Sequence, residues 1–186
     1  MIELWIVLGV LALLIVAWVL MYNGLVRGRN RVEESWAQID VQLKRRHDLV
    51  PNLVETAKGY LDHERETLER VTQARQQAVE RGDLDLEGRA RAENQLTGAL
   101  RQLFAVAEAY PDLKANQNML ALQEELTSTE NKISFARQHY NASVRDFNTR
   151  IQQMPTMIVA RLSGFMEQPY FEIEDPTERE VPQVEF

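Results

Sequence analysis

KRRHDLVPNLVE, residues Lys44 to Glu55, interrupts a stretch that otherwise has helical spacing. Four consecutive basic or titratable residues, Lys44, Arg45, Arg46 and His47, are followed at once by Asp48 and then by Pro51. Cations suit the last turn of a helix, where unpaired carbonyls carry partial negative charge. Aspartate suits an N-cap, and proline suits a first turn, where backbone N–H groups have no helical partner to lose. The stretch therefore reads as one helix stopping and another starting. The competing reading is a single long helix kinked at Pro51, supported by a heptad phase that runs unbroken from Leu43 to Val50.

On either side the pattern is helical. Val32, Trp36, Ile39 and Leu43 recur at spacings of three and four, and the pattern resumes with Val50, Leu53, Ala57, Tyr60, Leu61, Leu68, Val71 and Ala78 before stopping at Gly82-Asp83. Leu86 to Tyr110 is rich in good helix formers and ends at Pro111-Asp112. A fourth helix starts near Asn116, an N-cap residue, and carries Met119, Leu122, Leu126, Ile133, Ala136, Tyr140, Val144, Phe147 and Ile151 on one face. Pro155 to Ser163 reads as a short extra helix closed by Gly164. No segment alternates with period two between turns, apart from a few residues around Tyr170 to Ile173. The fold class is all-α: an N-terminal transmembrane helix, an antiparallel four-helix bundle with coiled-coil character, and a short extended acidic tail.

Length favours the reversal at Pro51. If the proline only kinks, a third helix of roughly 37 Å returns along the second and leaves the face of Trp36 and Ile39 wet. If the chain turns back, a fourth helix of roughly 57 Å runs past the second and covers that face. A reversal would also set Trp36 beside Tyr60 and Leu61.

Ahead of the bundle, Leu4 to Tyr22 contains no charged residue. At 1.5 Å per residue it spans roughly 28 Å, close to the hydrocarbon thickness of a bilayer. Trp5 at one end and Trp18 and Tyr22 at the other sit where aromatic belts form, and Arg27, Arg29 and Arg31 follow. A cleaved signal peptide is the rival reading, but Met1-Ile2-Glu3 has no basic side chain, the apolar run exceeds a usual signal core, and no A-x-A site follows. Residues 1–23 are thus expected to be an uncleaved anchor, 24–166 the bundle, and 167–186 an acidic tail with Pro169, Pro176 and Pro182, on which Tyr170 and Phe171 are the candidates for docking. The arginines after the span predict a cytoplasmic bundle on a bacterial inner membrane, crossed once; an outward-facing bundle stays open.

The formal charge of −7 argues against a nucleic-acid partner, which needs a lysine- and arginine-rich face. The absence of cysteine removes disulfides, thiolate metal sites, thiol nucleophiles and lipid attachment at a lipoprotein cysteine.

YNGLVRGRNRVEESWAQIDVQLKRRHDLVPNLVETAKGYLDHE, from Tyr22, together with YPDLKANQNMLALQEELTSTENKISFARQHYNASVRDFNTRIQQMP, ending at Pro155, resembles the bacterial LemA family. The resemblance implies a hydrophobic segment followed by a helical bundle. It implies no activity and no catalytic residue, because the family's molecular function is unsettled. Some members resemble lipoproteins, and this chain departs from them in lacking the cysteine.

Residue patterns that carry chemistry are sparse. Bundles that hold two irons or manganese ions use Glu-x-x-His pairs, whereas His47, His63 and His139 are preceded three residues earlier by Lys44, Tyr60 and Ala136. Asp62, His63, Glu64 and Glu66 could bind a metal weakly, but a solvated helix face explains them better. G-x-S-x-G, H-E-x-x-H, P-loop and G-x-G-x-x-G motifs are all absent. Gly24 and Gly28 form one G-x-x-x-G, read as a flexible exit from the bilayer in preference to a helix-association motif. The expectation is no enzyme: no catalytic residue, no cofactor and no metal ligand.

Eight polar residues lie on or near the apolar stripes: Asp40, Arg46, Asp48 and Asn52 in the first helix pair, and Glu130, Arg137, Asn141 and Asn148 in the fourth helix. They are expected to pair across the bundle as a layer that fixes register, with a polar ligand pocket as the functional alternative. Trp36 and Tyr140 are the expected core anchors; Trp36 lies roughly 21 Å past Tyr22, too far along a helix for the membrane belt. The membrane-interface residues are Trp5, Trp18, Tyr22, Arg27, Arg29 and Arg31. The function expected is an interaction or scaffold module at the membrane surface, with other proteins or a second copy as partner. The alternatives are a metal-binding or enzymatic bundle of unrecognised type, and a membrane-stress sensor.

Overall fold

The computed structural model describes residues 1–61, 64–81 and 86–171, and the described chain is all-α. The order is α1 (Ile2–Lys58), α2 (Arg65–Glu80), α3 (Leu86–Ala107), α4 (Pro111–Lys114), α5 (Gln117–Gln152) and α6 (Thr156–Leu162). The chain divides into two compact units. One holds Met1–Val41 and Ser134–Tyr170, the other Gln42–Ile133 and Phe171–Phe186. The turn at Gly82-Asp83 and the acidic tail beyond Phe171 lie outside the described residues. Phe171 itself is buried, at 1% exposure.

The expected reversal at Pro51 is overturned: α1 runs without a break through Lys44, Asp48 and Pro51 to Lys58. An interior proline strips one donor from the helix, leaving the carbonyl four residues earlier without its usual partner, at a cost of ~3 kcal/mol or more. Here that carbonyl belongs to His47, and Arg75 Nε of α2 donates to it at 2.7 Å. The hydrogen bond lost inside α1 is replaced by one from a neighbouring helix. Asp48 is accordingly a solvent-facing residue in mid-helix and caps nothing.

The turn falls later. α1 ends before Gly59, and the N–H groups of Tyr60 and Leu61 both reach back to the Ala57 carbonyl, at 3.0 and 3.1 Å. Leu61 continues the apolar pattern because it is buried, although it is not helical. That burial is why the periodicity conceals the break.

In the second unit α2 lies antiparallel to α3. Tyr110, just past α3, donates to Glu64 at the head of α2, and Arg70 donates to Gln102 about two turns further in. Val50, Leu53 and Ala57 of α1, Val71 and Ala78 of α2, Leu96, Leu100 and Leu103 of α3, and Met119 and Leu126 of α5 share one core. α5 begins where expected, since Asn116 Oδ1 accepts from the N–H groups of Asn118 and Met119 at 2.9 and 3.1 Å. Between α3 and α5 the single turn α4 opens on Pro111 and buries Leu113.

In the first unit α1 and the C-terminal part of α5 are also antiparallel. Ser35 meets Ser143, Trp36 meets Tyr140, and Gly28 meets Phe147. Trp36 therefore packs on α5 and not beside Tyr60 and Leu61. The length argument fails because it makes two short helices compete to cover Trp36 and Ile39, when the 36-residue α5 supplies the partner for a helix that never turns back. Gly28 is not a frayed exit either. It is helical, and a Cβ there would meet the Phe147 ring at 2.9 Å, so the missing side chain is what lets that ring close on α1. Gly24 has open space around it.

The proline compensation can be measured as a double-mutant cycle. Arg75→Met should cost about 1.5–3 kcal/mol, the range for a hydrogen bond to a charged group. In a Pro51→Ala background, where the alanine supplies the missing N–H, the same substitution should cost much less. Urea unfolding of the four proteins in detergent checks this, and equal costs in both backgrounds would refute the compensation.

Candidate functional site: a buried ionic cluster

The sequence that reads as the end of a helix instead delivers two side chains into the core of the second unit. Arg46 follows Leu43 by three positions and precedes Val50 by four, so it occupies the apolar stripe of α1 and is fully buried. Its guanidinium pairs with Glu93 of α3 and Glu130 of α5, and Nη1 also donates to Thr97 Oγ1 at 2.8 Å. Glu93 is equally buried, and its Oε1 lies 3.0 Å from His47 Nε2. One arginine thus ties three helices, while His47 touches α3 through its ring and α2 through its carbonyl.

Burial alone pushes the Glu93 carboxyl up. The His47 hydrogen bond and the charges of Arg46 and His47 outweigh that effect and hold it below the ordinary carboxylate range. Arg46 Nε has no hydrogen-bond partner. Arg45, beside it in sequence, points outward and pairs with Glu125 of α5. Lys44 is exposed.

The eight residues expected to form a polar layer separate by position. Arg46 and Glu130 do meet. Asp40, Asp48 and Asn52 lie on the exposed face of α1, although each falls near the stripe in sequence. Arg137 and Asn148 are buried in the first unit, and Asn141 is half-buried there. Asn148 pairs its whole amide with one residue: Nδ2 donates to the Gln168 carbonyl at 2.9 Å, and Oδ1 accepts from the Gln168 N–H at 2.8 Å. It anchors the segment after α6, a partner that a helix-to-helix reading could not foresee.

Glu93 and Thr97 were missed by sequence reasoning. A signal existed for Glu93: it stands three positions before Leu96 on the stripe that continues through Leu100, Leu103 and Ala107. A charge on the apolar stripe of a helix needs a partner, and Arg46 is another such charge.

The core anchors are in contact, the Trp36 and Tyr140 rings meeting edge to face with centroids 5.5 Å apart. Burial pushes the Tyr140 phenol up, and its hydroxyl donates to the Pro169 carbonyl at 2.9 Å. Nearby, Ser35 Oγ lies 3.0 Å from both His139 Nδ1 and Ser143 Oγ. A serine beside a histidine invites a nucleophile reading. Ser35, however, is 1% exposed, and its hydroxyl already donates to the Arg31 carbonyl at 2.7 Å, so a substrate carbonyl has no route to it.

At the end of the apolar run, Phe165 stands between three groups: the Tyr22 ring at 5.8 Å, the Phe147 ring at 6.3 Å and the Arg29 guanidinium at 5.6 Å. Gly164 puts it there. At φ +72° it takes a conformation that side-chain-bearing residues avoid, and the N–H of Phe165 closes back on the Ala160 carbonyl at 3.0 Å. Trp5 and Trp18 are exposed, as is the whole apolar run through Leu20 apart from a half-exposed Ala17.

Among the described residues no group of three or more histidines and carboxylates is placed to hold a metal ion. Asp62 and His63 lie outside the described residues. Glu66 pairs with Arg70 at 2.5 Å, and Glu64 accepts from Tyr110.

The cluster makes a stability prediction with a sign. A carboxyl depressed in the folded state stabilises the fold above its unfolded pKa of about 4.3, and that stability is lost as the pH falls through the lower folded value. Melting temperature should drop in acid below about pH 4, and Glu93→Gln should flatten that drop while lowering stability at pH 7. Arg46→Met alone strands two carboxylates, one of them fully buried, and should cost about 3–5 kcal/mol. Adding Glu93→Leu should recover much of the loss; thermal melts of the single and double variants check it.

Comparison with known proteins gives a consistent picture. The chain is 29% identical to Protein LemA of Metamycoplasma hominis over 139 residues, which cover 75% of this chain and 63% of that protein. It is 23% identical to magnetosome protein MamQ of Magnetospirillum gryphiswaldense over 196 aligned positions, covering 91% and 72%. It is 24% identical to magnetosome protein MamQ 1 of Paramagnetospirillum magneticum over 175 residues, covering 81% and 64%. The chain spans less than two thirds of the first and third of these relatives. The LemA family model matches residues 35–186, a stretch that contains every member of the ionic cluster and most of both units, and the chain belongs to the LemA family.

Proposed function

We propose that this chain is a single-span membrane protein whose helical part is an interaction or scaffold module at the membrane surface. The observation that carries the reading is the N-terminal part of α1. The helix is apolar enough to cross a bilayer, and the residues of its most apolar window bury nothing against the rest of the chain. An apolar helical face left this bare needs lipid or another protein around it. Tyr22, with Arg27, Arg29 and Arg31 beyond it, marks the end of the span, and the positive-inside rule puts the helical part in the cytoplasm of a bacterial cell, at the inner membrane.

The ionic cluster fits a structural role in that module. Arg46 is fully buried and meets one fully buried and one partly exposed carboxylate from two other helices, an arrangement that penalises any slip in register more than it adds stability. No reaction is assigned. The relatives' names, LemA and magnetosome protein MamQ, name no reaction either, which supports a binding role over a catalytic one.

Two measurements test the reading. Alkaline carbonate should leave the full chain in the membrane pellet; release to the supernatant would refute the anchor. The chain has no cysteine, so Glu108→Cys, at an exposed position after α3, gives a single label site. In cells with a permeabilised outer membrane it should resist an impermeant thiol reagent and react after lysis. Labelling before lysis would place the helical part outside.

A further inference from the structure

Just beyond the apolar run a cleft of about 290 Å³ opens between α1 and α5 within the first unit. Arg27, Arg31 and Arg150 line it together with Asp146, Ser143 and the edge of Phe147. Three guanidinium groups face one carboxylate, and all four of these residues are exposed. Among the described residues none of the three guanidinium groups has an ion pair or side-chain hydrogen bond. Arg29, on the same turn, is by contrast paired with Glu33 and stacked over Phe165. Arg45 and Arg70 likewise have carboxylates, Glu125 and Glu66. Among the described residues the cleft gathers three guanidinium groups without such a partner around one carboxylate.

Its depth is referenced to Tyr22 from two elements. Arg27 follows Tyr22 by five residues, about 7.5 Å along a helix, and the headgroup layer of a bilayer is about 5–8 Å thick on each side. Arg31 lies a turn further out, with a side chain long enough to reach back. α6 marks the same level, because Phe165 touches Tyr22. On α6, Ile158 and Leu162 are 47% and 72% exposed one turn apart, while Val159 and Ala160 are buried, and Met154 and Met166 on either side of the helix are exposed as well. These bare apolar side chains suit a membrane interface.

We infer that the cleft of Arg27, Arg31 and Arg150 is a binding site for a phosphate group bearing net negative charge, supplied by an anionic phospholipid headgroup. Guanidinium forks match phosphate oxygens two at a time, and each basic residue near a charged membrane surface contributes roughly fivefold in affinity. Asp146 opposes the ligand, which keeps binding reversible. The assignment of the source rests on the membrane-anchor reading; the phosphate chemistry does not.

Native mass spectrometry of the full chain in detergent tests it, with phosphatidylglycerol and phosphatidylcholine supplied in equal amounts and inorganic phosphate in a separate arm. Phosphatidylglycerol should be retained preferentially. R27Q/R31Q/R150Q should lower its retention to the phosphatidylcholine level, each single substitution contributing roughly fivefold, and Lys132→Gln, an exposed position on α5 about 27 Å before Arg150 along the helix, should change nothing. Asp146→Asn should raise retention severalfold. Inorganic phosphate that binds and is lost in the triple variant, with no lipid preference, would support the site and assign it to a soluble phosphate. Retention that ignores the three arginines in both arms would overturn it. Should the triple variant lose its helical circular dichroism, Asp146→Asn decides, and unchanged retention there also overturns the proposal. Carbonate extraction of the same variants keeps the two readings apart, since a chain that stays in the pellet but shows no arginine-dependent adduct defeats the cleft and leaves the anchor standing.

Discussion

A helix tolerates an interior proline only if something else takes the carbonyl that the proline strands. In this chain that carbonyl is His47's, and Arg75 takes it. The consequences reach through the second unit. Because α1 does not turn at Pro51, Arg46 and His47 point into the core instead of decorating a helix end. Because Arg75 must reach the backbone of α1, α2 is held against that helix at one level. The same residue, His47, then meets Glu93 through its ring, so the backbone and side chain of one position join α2 and α3 to α1.

The ionic cluster follows from that geometry, and the register role proposed for it rests on its energetics. Moving an arginine and a glutamate fully out of water costs several kcal/mol per ion, roughly offset by their attraction in a medium of low dielectric. Leucines at these positions would fill a core more cheaply. What leucines cannot do is distinguish the native register from one slipped by a turn, since an apolar stripe with a seven-residue repeat packs almost as well after a slip. A slip in this core strands Arg46 or Glu93 without its partner, and the penalty for an unpaired buried charge exceeds the penalty for a poorly placed methyl group.

The sequence made local chemistry legible and left long-range compensation invisible. Asn116 as a cap, Gly164 as a stop and the stripe from Met119 to Ile151 each depend on neighbours within a few residues, and the structure places them as read. Pro51 misleads because its local preferences, cations before it and an aspartate close by, match a helix boundary, while the group that neutralises the defect lies 24 positions away on another helix. Gly59 escapes notice for the opposite reason: Leu61 keeps the apolar period even though the helix has ended. Glu93 could have been found by asking what a charge does on an otherwise apolar stripe. No local pattern, however, links it to Arg46 in preference to the many other carboxylates of an acidic chain. Asp48 and Asn52 show the converse case, in which residues close to a stripe in sequence face solvent; one residue is about 100° on a helix, enough to carry a side chain from the core to solvent.

The first unit solves a different problem with glycine. Where α1 leaves its apolar run it must be gripped by elements whose own surfaces face water or headgroups, so only a small buried contact is available. Gly28 removes the Cβ that would hold Phe147 off the helix, and Gly164 adopts the left-handed turn that swings Phe165 over Tyr22 and Arg29. Three aromatic rings are thereby concentrated on about two turns of helix, where edge-to-face contacts add roughly 0.5–1.5 kcal/mol per pair beyond area burial. Tyr22 belongs to this cluster and, on the anchor proposed above, also to the aromatic belt at the end of the span. That proposal couples the segment after α5 to the depth of α1, because the ring on which Phe165 rests is the one that would mark the boundary.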